Sequence, residues 1–123
     1  MGEKLLIAYL DDDEFYLDMI KELMESSEFQ VDIFLHPDDL AQLSSQELAR
    51  YHGVVLDYDL GGRTILEIGM PAYLRKEKSF KGRIILLSLL EEFGREQAQV
   101  DSWFDKVLNK EKIDKALLEK ALR

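Results

Sequence analysis

Apolar and polar positions change period along this chain again and again, and the changes mark out its elements. Leu5 to Leu10 (LLIAYL) is a short, nearly continuous apolar run, which suits a strand buried on both faces. From Glu14 onward Tyr16, Leu17, Ile20, Leu23 and Met24 fall on one helical face until ESSEF breaks it. VDIFL (Val31 to Leu35) reads as the second strand. HPDDLAQLSSQELARY (His36 to Tyr51) reads as a helix with Pro37 near its first turn, where a missing N–H costs little. GVVLD (Gly53 to Asp57) is the third strand, followed by a helical RTILEIGMPAYLRKE (Arg63 to Glu77) that Pro71 should kink or shorten. RIILLS (Arg83 to Ser88) is the fourth strand, EEFGREQAQ (Glu91 to Gln99) a short helix and WFDKV (Trp103 to Val107) the fifth strand. KEKIDKALLEKALR closes the chain as a helix with Ile113, Leu117 and Ala121 on one face.

Strand and helix thus alternate five times. Parallel neighbours need crossover connections, and those are right-handed, so the order predicts an α/β fold: a doubly wound, five-stranded parallel sheet with five flanking helices. No repeat, low-complexity stretch or linker interrupts the 123 residues, which read as one domain over 1–123.

Composition narrows the function classes. No apolar run approaches 18 residues, so no membrane insertion is expected, and the start MGEKLLIAYLDDDEF lacks the pattern of a secretory signal; the expected location is the cytoplasm. Without cysteine there are neither disulfides nor thiolate metal sites. A formal charge of −9 argues against a nucleic-acid surface, which needs clustered Lys and Arg to neutralise phosphates.

In a doubly wound sheet, ligands bind beyond the carboxyl ends of the strands. The first predicted strand ends in Asp11, Asp12 and Asp13, the third in Asp57 and Asp59, and the fourth in Ser88, while the fifth carries Lys106. Each has an ordinary structural explanation: a helix cap, a turn residue, a surface lysine. Asp13 in particular suits the cap of the helix that begins near Glu14. Carboxylates brought within several ångströms repel one another and resist desolvation, so a cluster of them points to a cation. Oxygen ligands with no His or Cys nearby suit Mg2+ better than zinc.

The acidic run in YLDDDEF, the Asp in VVLDYDL, the Ser in IILLS and the Lys in WFDKV, in this order over essentially the whole chain, resemble the response-regulator receiver domain of two-component signalling. The resemblance implies the flavodoxin-like strand order 2-1-3-4-5. It implies that Asp57 is the phosphoacceptor, taking a phosphoryl group from the phosphohistidine of a sensor histidine kinase or phosphotransfer protein, and that a downstream protein target reads the result. Mg2+ would be held by Asp12, Asp57 and the backbone carbonyl of Asp59, with Asp11 acting through a bound water. Lys106 would pair with a phosphoryl oxygen and Ser88 would donate to another. Ser88 would also act in a switch with an aromatic three residues before the lysine, here Trp103. With nothing after the fifth helix, the expectation is a stand-alone receiver without an output domain.

Several positions depart from the family pattern. Leu89 is bulky where a small residue is usual, and the segment from Ser88 to Lys106 looks about one helical turn short. Val107 replaces the proline that normally makes the preceding bond cis, so Lys106–Val107 is expected trans, with the Lys106 ammonium still directed at Asp57. Leu89 and Val107 keep open a degenerate receiver that binds partners without phosphorylation. A haloacid-dehalogenase-type phosphatase shares Asp-x-Asp, Ser and Lys in this order. It also needs a later acidic pair, and only Glu111, Asp114 and Glu119 follow.

Overall fold

A computed structural model describes residues 4–26 and 28–123. Its centre is a five-stranded sheet of β1 (Leu5–Leu10), β2 (Phe29–Phe34), β3 (Tyr51–Asp57), β6 (Arg83–Ser88) and β7 (Lys106–Asn109). These run in the order β2-β1-β3-β6-β7, and every neighbouring pair is parallel. Counting only these five strands, this is the expected order 2-1-3-4-5. The three inner strands carry the continuous apolar runs because both of their faces are covered: Ile7–Leu10, Val54–Leu56 and Ile84–Leu87 are all buried. One face packs on α1 (Glu14–Met24) and α7 (Lys115–Leu122) through Leu17, Ile20, Leu118 and Leu122. The other packs on α2 (Pro37–Ala41), α3 (Ser45–Leu48), α4 (Ile65–Ile68), α5 (Met70–Lys76) and α6 (Gln97–Trp103).

The described residues therefore form seven α-helices rather than five, with two further 3-10 turns at Gly94–Glu96 and Lys110–Lys112. The difference has local causes. The predicted helix His36–Tyr51 is two, because Ser44 forms a capping box with Glu47 and starts α3 afresh, and Tyr51 already belongs to β3. The predicted helix Arg63–Glu77 breaks at Gly69, whose φ of 77° is left-handed, and Pro71 then falls harmlessly in the first turn of α5. Arg63 and Thr64 lie outside that helix. They form β5 (Arg63–Thr64), which pairs antiparallel with β4 (Asp59–Leu60) across Gly61–Gly62, both with positive φ, the geometry of a two-residue hairpin turn.

Two further differences shift the register of the C-terminal third. Trp103 ends α6 instead of opening the fifth strand, which runs from Lys106 to Asn109. The last helix starts after Asp114, whose carboxylate accepts from Leu117 N–H at 2.8 Å, and the buried face becomes Leu118, Ala121 and Leu122. Leu117, expected inside, is 42% exposed. No helix among the described residues is long and apolar enough to cross a membrane.

The approach to β6 is fixed by backbone crowding. The Arg75 guanidinium donates to the carbonyls of Phe80 and Gly82, each at 2.7 Å, and Asp105 accepts from Ile84 N–H at 2.8 Å. A methyl group on Gly82 would lie 2.5 Å from the His52 carbonyl oxygen, a backbone atom that cannot turn away. Gly82→Ala is expected to destabilise the fold by about 1–3 kcal/mol, the range for an overpacked interior. The check is urea unfolding, in which the midpoint falls and the slope stays that of the parent.

Candidate functional site

Strand pairing alone brings two carboxylates together. Leu10 pairs with Leu56, so the next residues, Asp11 and Asp57, leave adjacent strands side by side, about 4.8 Å apart. On the other side of β3, Asp57 pairs with Leu87, and Ser88 pairs with Asn109 on β7. The residue after Asn109 is Lys110. Asp11, Asp57, Ser88 and Lys110 are the only buried polar or charged side chains among the described residues, and all four lie at this end of the sheet.

Lys110 is the centre of the arrangement. Its ammonium is 2.9 Å from Asp11 Oδ2 and 3.1 Å from Asp57 Oδ1, and it lies over the Tyr16 ring, 4.1 Å from the centroid. Asp11 is further engaged: its Oδ1 accepts from Asp13 N–H at 3.0 Å, and its Oδ2 also accepts from the Tyr9 hydroxyl. Burial, reinforced by the neighbouring Asp11 charge, lifts the Tyr9 phenol far above its ordinary range, so this hydroxyl remains a donor. Asp12 is exposed at the rim, and partial burial together with Asp11 raises its carboxyl above the ordinary value. One carboxylate oxygen from each of Asp11, Asp12 and Asp57 falls within a 4.8 Å cluster, a geometry able to hold a cation.

Two buried carboxylates share one ammonium, and the balance does not favour ionising both. Burial and then the Asp11 charge push Asp57 up to about 7, against the opposing pull of Lys110. Lys110 moves upward as well, because its hydrogen bond to Asp11 and the charges of Asp57 and Asp11 outweigh the cost of burial.

The other expected residues are distributed unevenly. Ser88 lies at the pocket and its Oγ accepts from Leu90 N–H at 2.9 Å. Asp59 opens β4 on the exposed rim. Asp13 caps α1, accepting from Phe15 N–H at 2.9 Å, which is its structural alternative rather than ligation. These residues, with Tyr58, Gly61, Gly62, Leu89 and Leu90, line a cavity of about 520 Å³. Leu89 stands at its mouth, 59% exposed.

Lys106 does not reach Asp57. The bond after it is trans, as expected, but Lys106 pairs with Ile85 at the start of β7, three residues before the strand end at Asn109. At about 3.3 Å per residue, that puts it some 10 Å short of the carboxyl end. Its side chain is exposed and enters none of the described ion pairs. Lys110 lies four residues further on, which restores the helical turn that seemed to be missing. Trp103 is displaced with it: at the end of α6 its half-buried ring lies beneath the Lys76 ammonium at 5.4 Å, and the position three before Lys110 is Val107. Tyr9 and Lys110 were not legible as site residues, since Tyr9 sits within an apolar strand run and Lys110 opens a lysine-rich helical segment. The alternation of β1 is the signal that could have found Tyr9, because it puts Tyr9 and Asp11 on one face.

No protein-family model matches the sequence, and no curated protein does. Solved structures match its fold. A response regulator receiver domain from Methylobacillus flagellatus, described as CheY-like, is 23% identical with a TM-score of 0.75, over 97% of this chain and 96% of that one. A response regulator from Burkholderia pseudomallei, solved with a phosphorylated aspartic acid, a calcium ion and citrate, is 18% identical with a TM-score of 0.78, over 98% and 67%. A chemotaxis protein of Vibrio cholerae is 15% identical with a TM-score of 0.76, over 97% and 96%. At these identities the likeness is one of fold: the chain has the fold of response-regulator receiver domains.

The charge balance in the pocket has a direct consequence for stability. An unfolded aspartate titrates near 3.9, so between about 4 and 7 the folded state binds a proton at Asp57 that the unfolded state has lost. Stability of the metal-free protein is expected to fall as pH rises through that window, and to stay lower above it. Asp57→Asn removes the effect. In chelator-treated samples its advantage over the parent should be small at pH 4 and large at pH 8 by urea unfolding; a gap that does not change with pH would contradict the assignment.

Proposed function

We propose that this chain is a phosphoacceptor signalling domain, in which Asp57 receives a phosphoryl group from a partner's phosphohistidine and the resulting acyl phosphate alters the surface read by a protein target. The observation that carries the reading is the buried Asp11–Lys110–Asp57 bridge at the carboxyl end of the sheet, with Asp12 completing a cation-sized cluster. Lys110 holds Asp57 Oδ1, leaving the other oxygen to attack phosphorus. In that step an O–P bond to Asp57 forms, the P–N bond of the donor breaks, and the donor imidazole leaves with the electron pair and takes up a proton. Lys110, rather than Lys106, is then the point charge for a phosphoryl oxygen, and Ser88 exchanges its acceptor role toward Leu90 N–H for donation to a second oxygen. Asp12, Asp57 and the Asp59 carbonyl would hold Mg2+, with Asp11 one shell further out. A bound Mg2+ neutralises the carboxylates and the developing phosphoryl charge. The partners on this reading are a sensor histidine kinase or phosphotransfer protein and a downstream protein, and the setting is cytoplasmic.

Two observations favour a second reading, a phosphorylation-independent interaction module: Val107 stands where the receiver resemblance calls for an aromatic, and Leu89 crowds the mouth. The phosphatase alternative fares worse. Every carboxylate lining the cavity comes from the ends of β1 and β3 or the start of β4, and none follows Lys110.

Mass spectrometry after incubation with Mg2+ and a small acyl phosphate decides among the three. One added phosphoryl group is expected on the parent and none on Asp57→Asn. Lys110→Ala should slow the gain on the order of 100-fold, the scale for losing a preorganised charge-stabilising donor, while Lys106→Ala leaves it unchanged. A parent that gains nothing supports the interaction module, and sustained hydrolysis of a generic phosphate ester supports the phosphatase.

Trp103, the only tryptophan, reports on α6 without labelling. Its fluorescence is expected to change when Mg2+ and beryllofluoride bind, and Ser88→Ala to reduce the change. A spectrum unmoved by a mimic that demonstrably binds would separate the pocket from α6.

A further inference from the structure

We infer that Tyr9 is a positioning residue of the acidic pocket, fixing Asp11 and, through it, the Lys110 ammonium that Asp11 shares with Asp57. The part concerning cations rests on reading Asp11, Asp12 and Asp57 as a cation site.

Tyr9 and Asp11 are two apart on β1, so their side chains leave the same face of the sheet. The Tyr9 ring is fully buried with Ile7, Leu17 and Ile20 under α1, and its hydroxyl reaches along the strand to Asp11 Oδ2. A buried phenol needs an acceptor, so the bond could be mere satisfaction of Tyr9. The donor count on Asp11 says more. Oδ2 takes both the Tyr9 hydroxyl and the Lys110 ammonium at 2.9 Å, and Oδ1 takes Asp13 N–H at 3.0 Å. Both oxygens are anchored from different directions, so the carboxylate cannot rotate, and the two lone pairs of Oδ2 are spent. Lys110 is held against a carboxylate that does not move, which leaves it shared at 2.9 and 3.1 Å instead of collapsing onto Asp11 alone.

Two consequences follow when the hydroxyl is removed and the ring kept. Asp11 loses one of its three donors while remaining buried, so it draws more strongly on Lys110, and its less compensated charge attracts an added cation more strongly, whether directly or through a bound water. Tyr9 thus tempers the cation affinity of the pocket while keeping Lys110 available to Asp57.

The test is Tyr9→Phe in the full chain, alone and combined with Asp11→Asn, with two readouts. In the metal-free protein, proton exchange of the Lys110 ammonium, followed by 15N resonance, is expected to change several-fold in Tyr9→Phe and not to change further when Asp11 is already Asn. A Mn2+ titration is expected to show binding about fivefold tighter in Tyr9→Phe, the factor that one net hydrogen bond supplies. Tyr9 and Lys110 both donate to Asp11 and not to each other, so loss of a merely structural hydroxyl would lower the melting temperature and move neither readout; that result overturns the inference, as does weaker Mn2+ binding. A parent that binds no Mn2+ would overturn the cation reading, while the Lys110 exchange still decides the role of Tyr9.

Discussion

The site depends on one electrostatic constraint: two buried carboxylates share a single ammonium. Asp11 is wholly buried and Asp57 nearly so, and without Lys110 their charges would face each other in a medium of low dielectric. The fold leaves no freedom to avoid this. Pairing of β1 with β3 sets the two aspartates beside each other, and pairing of β6 with β7 delivers Lys110 one residue beyond Ser88's partner Asn109. Parallel strands in this order bring all their carboxyl ends to one edge, so a cost in stability is concentrated where chemistry can use it. The Tyr9 hydroxyl and Asp13 N–H complete the solvation of Asp11 that water would otherwise supply.

The sheet was legible because its inner strands are covered on both faces. Runs such as LLIAYL and RIILLS have no alternative but burial, and their order in the chain dictates parallel pairing. Asp11, Asp12, Asp57 and Ser88 were legible for the same reason, as the first polar residues after those runs. The fifth strand was not. It is four residues long and lies at the sheet edge, where a strand need not be apolar, and WFDKV offered a stronger hydrophobic signal that begins three residues too early, in the end of α6. Because the lysine was counted from that strand, one misplaced boundary carried Lys106 and Trp103 into the site together. Helix breaks were missed where the signal was capping rather than hydrophobic period, at Ser44 and Gly69. Tyr9 was hidden by its own suitability for a buried strand.

With Val107 three residues before Lys110, the chain has no aromatic side chain there to couple Ser88 to the opposite edge of the sheet. The described hydrogen bonds give one side-chain link from the pocket lining to the segment before α6, and it starts next to Asp57. Tyr58 is pinned in the backbone on both sides, its N–H donating to Leu87 O at 2.9 Å and its carbonyl accepting from Ile65 N–H at 2.7 Å. Its ring packs on Phe93 at 5.2 Å between centroids, and its hydroxyl donates to Glu96 at the end of the 3-10 turn that leads into α6. Burial and then the bond to Glu96 push that hydroxyl up to about 12, so it stays protonated, and stays a donor, across the neutral range. Tyr58 thus ties the residue beside Asp57 to Glu96 and Phe93, while Trp103 lies at the far end of the helix. Among the described residues, the side-chain link between the pocket and the segment before α6 starts at the residue after the carboxylate, not at an aromatic on the last strand.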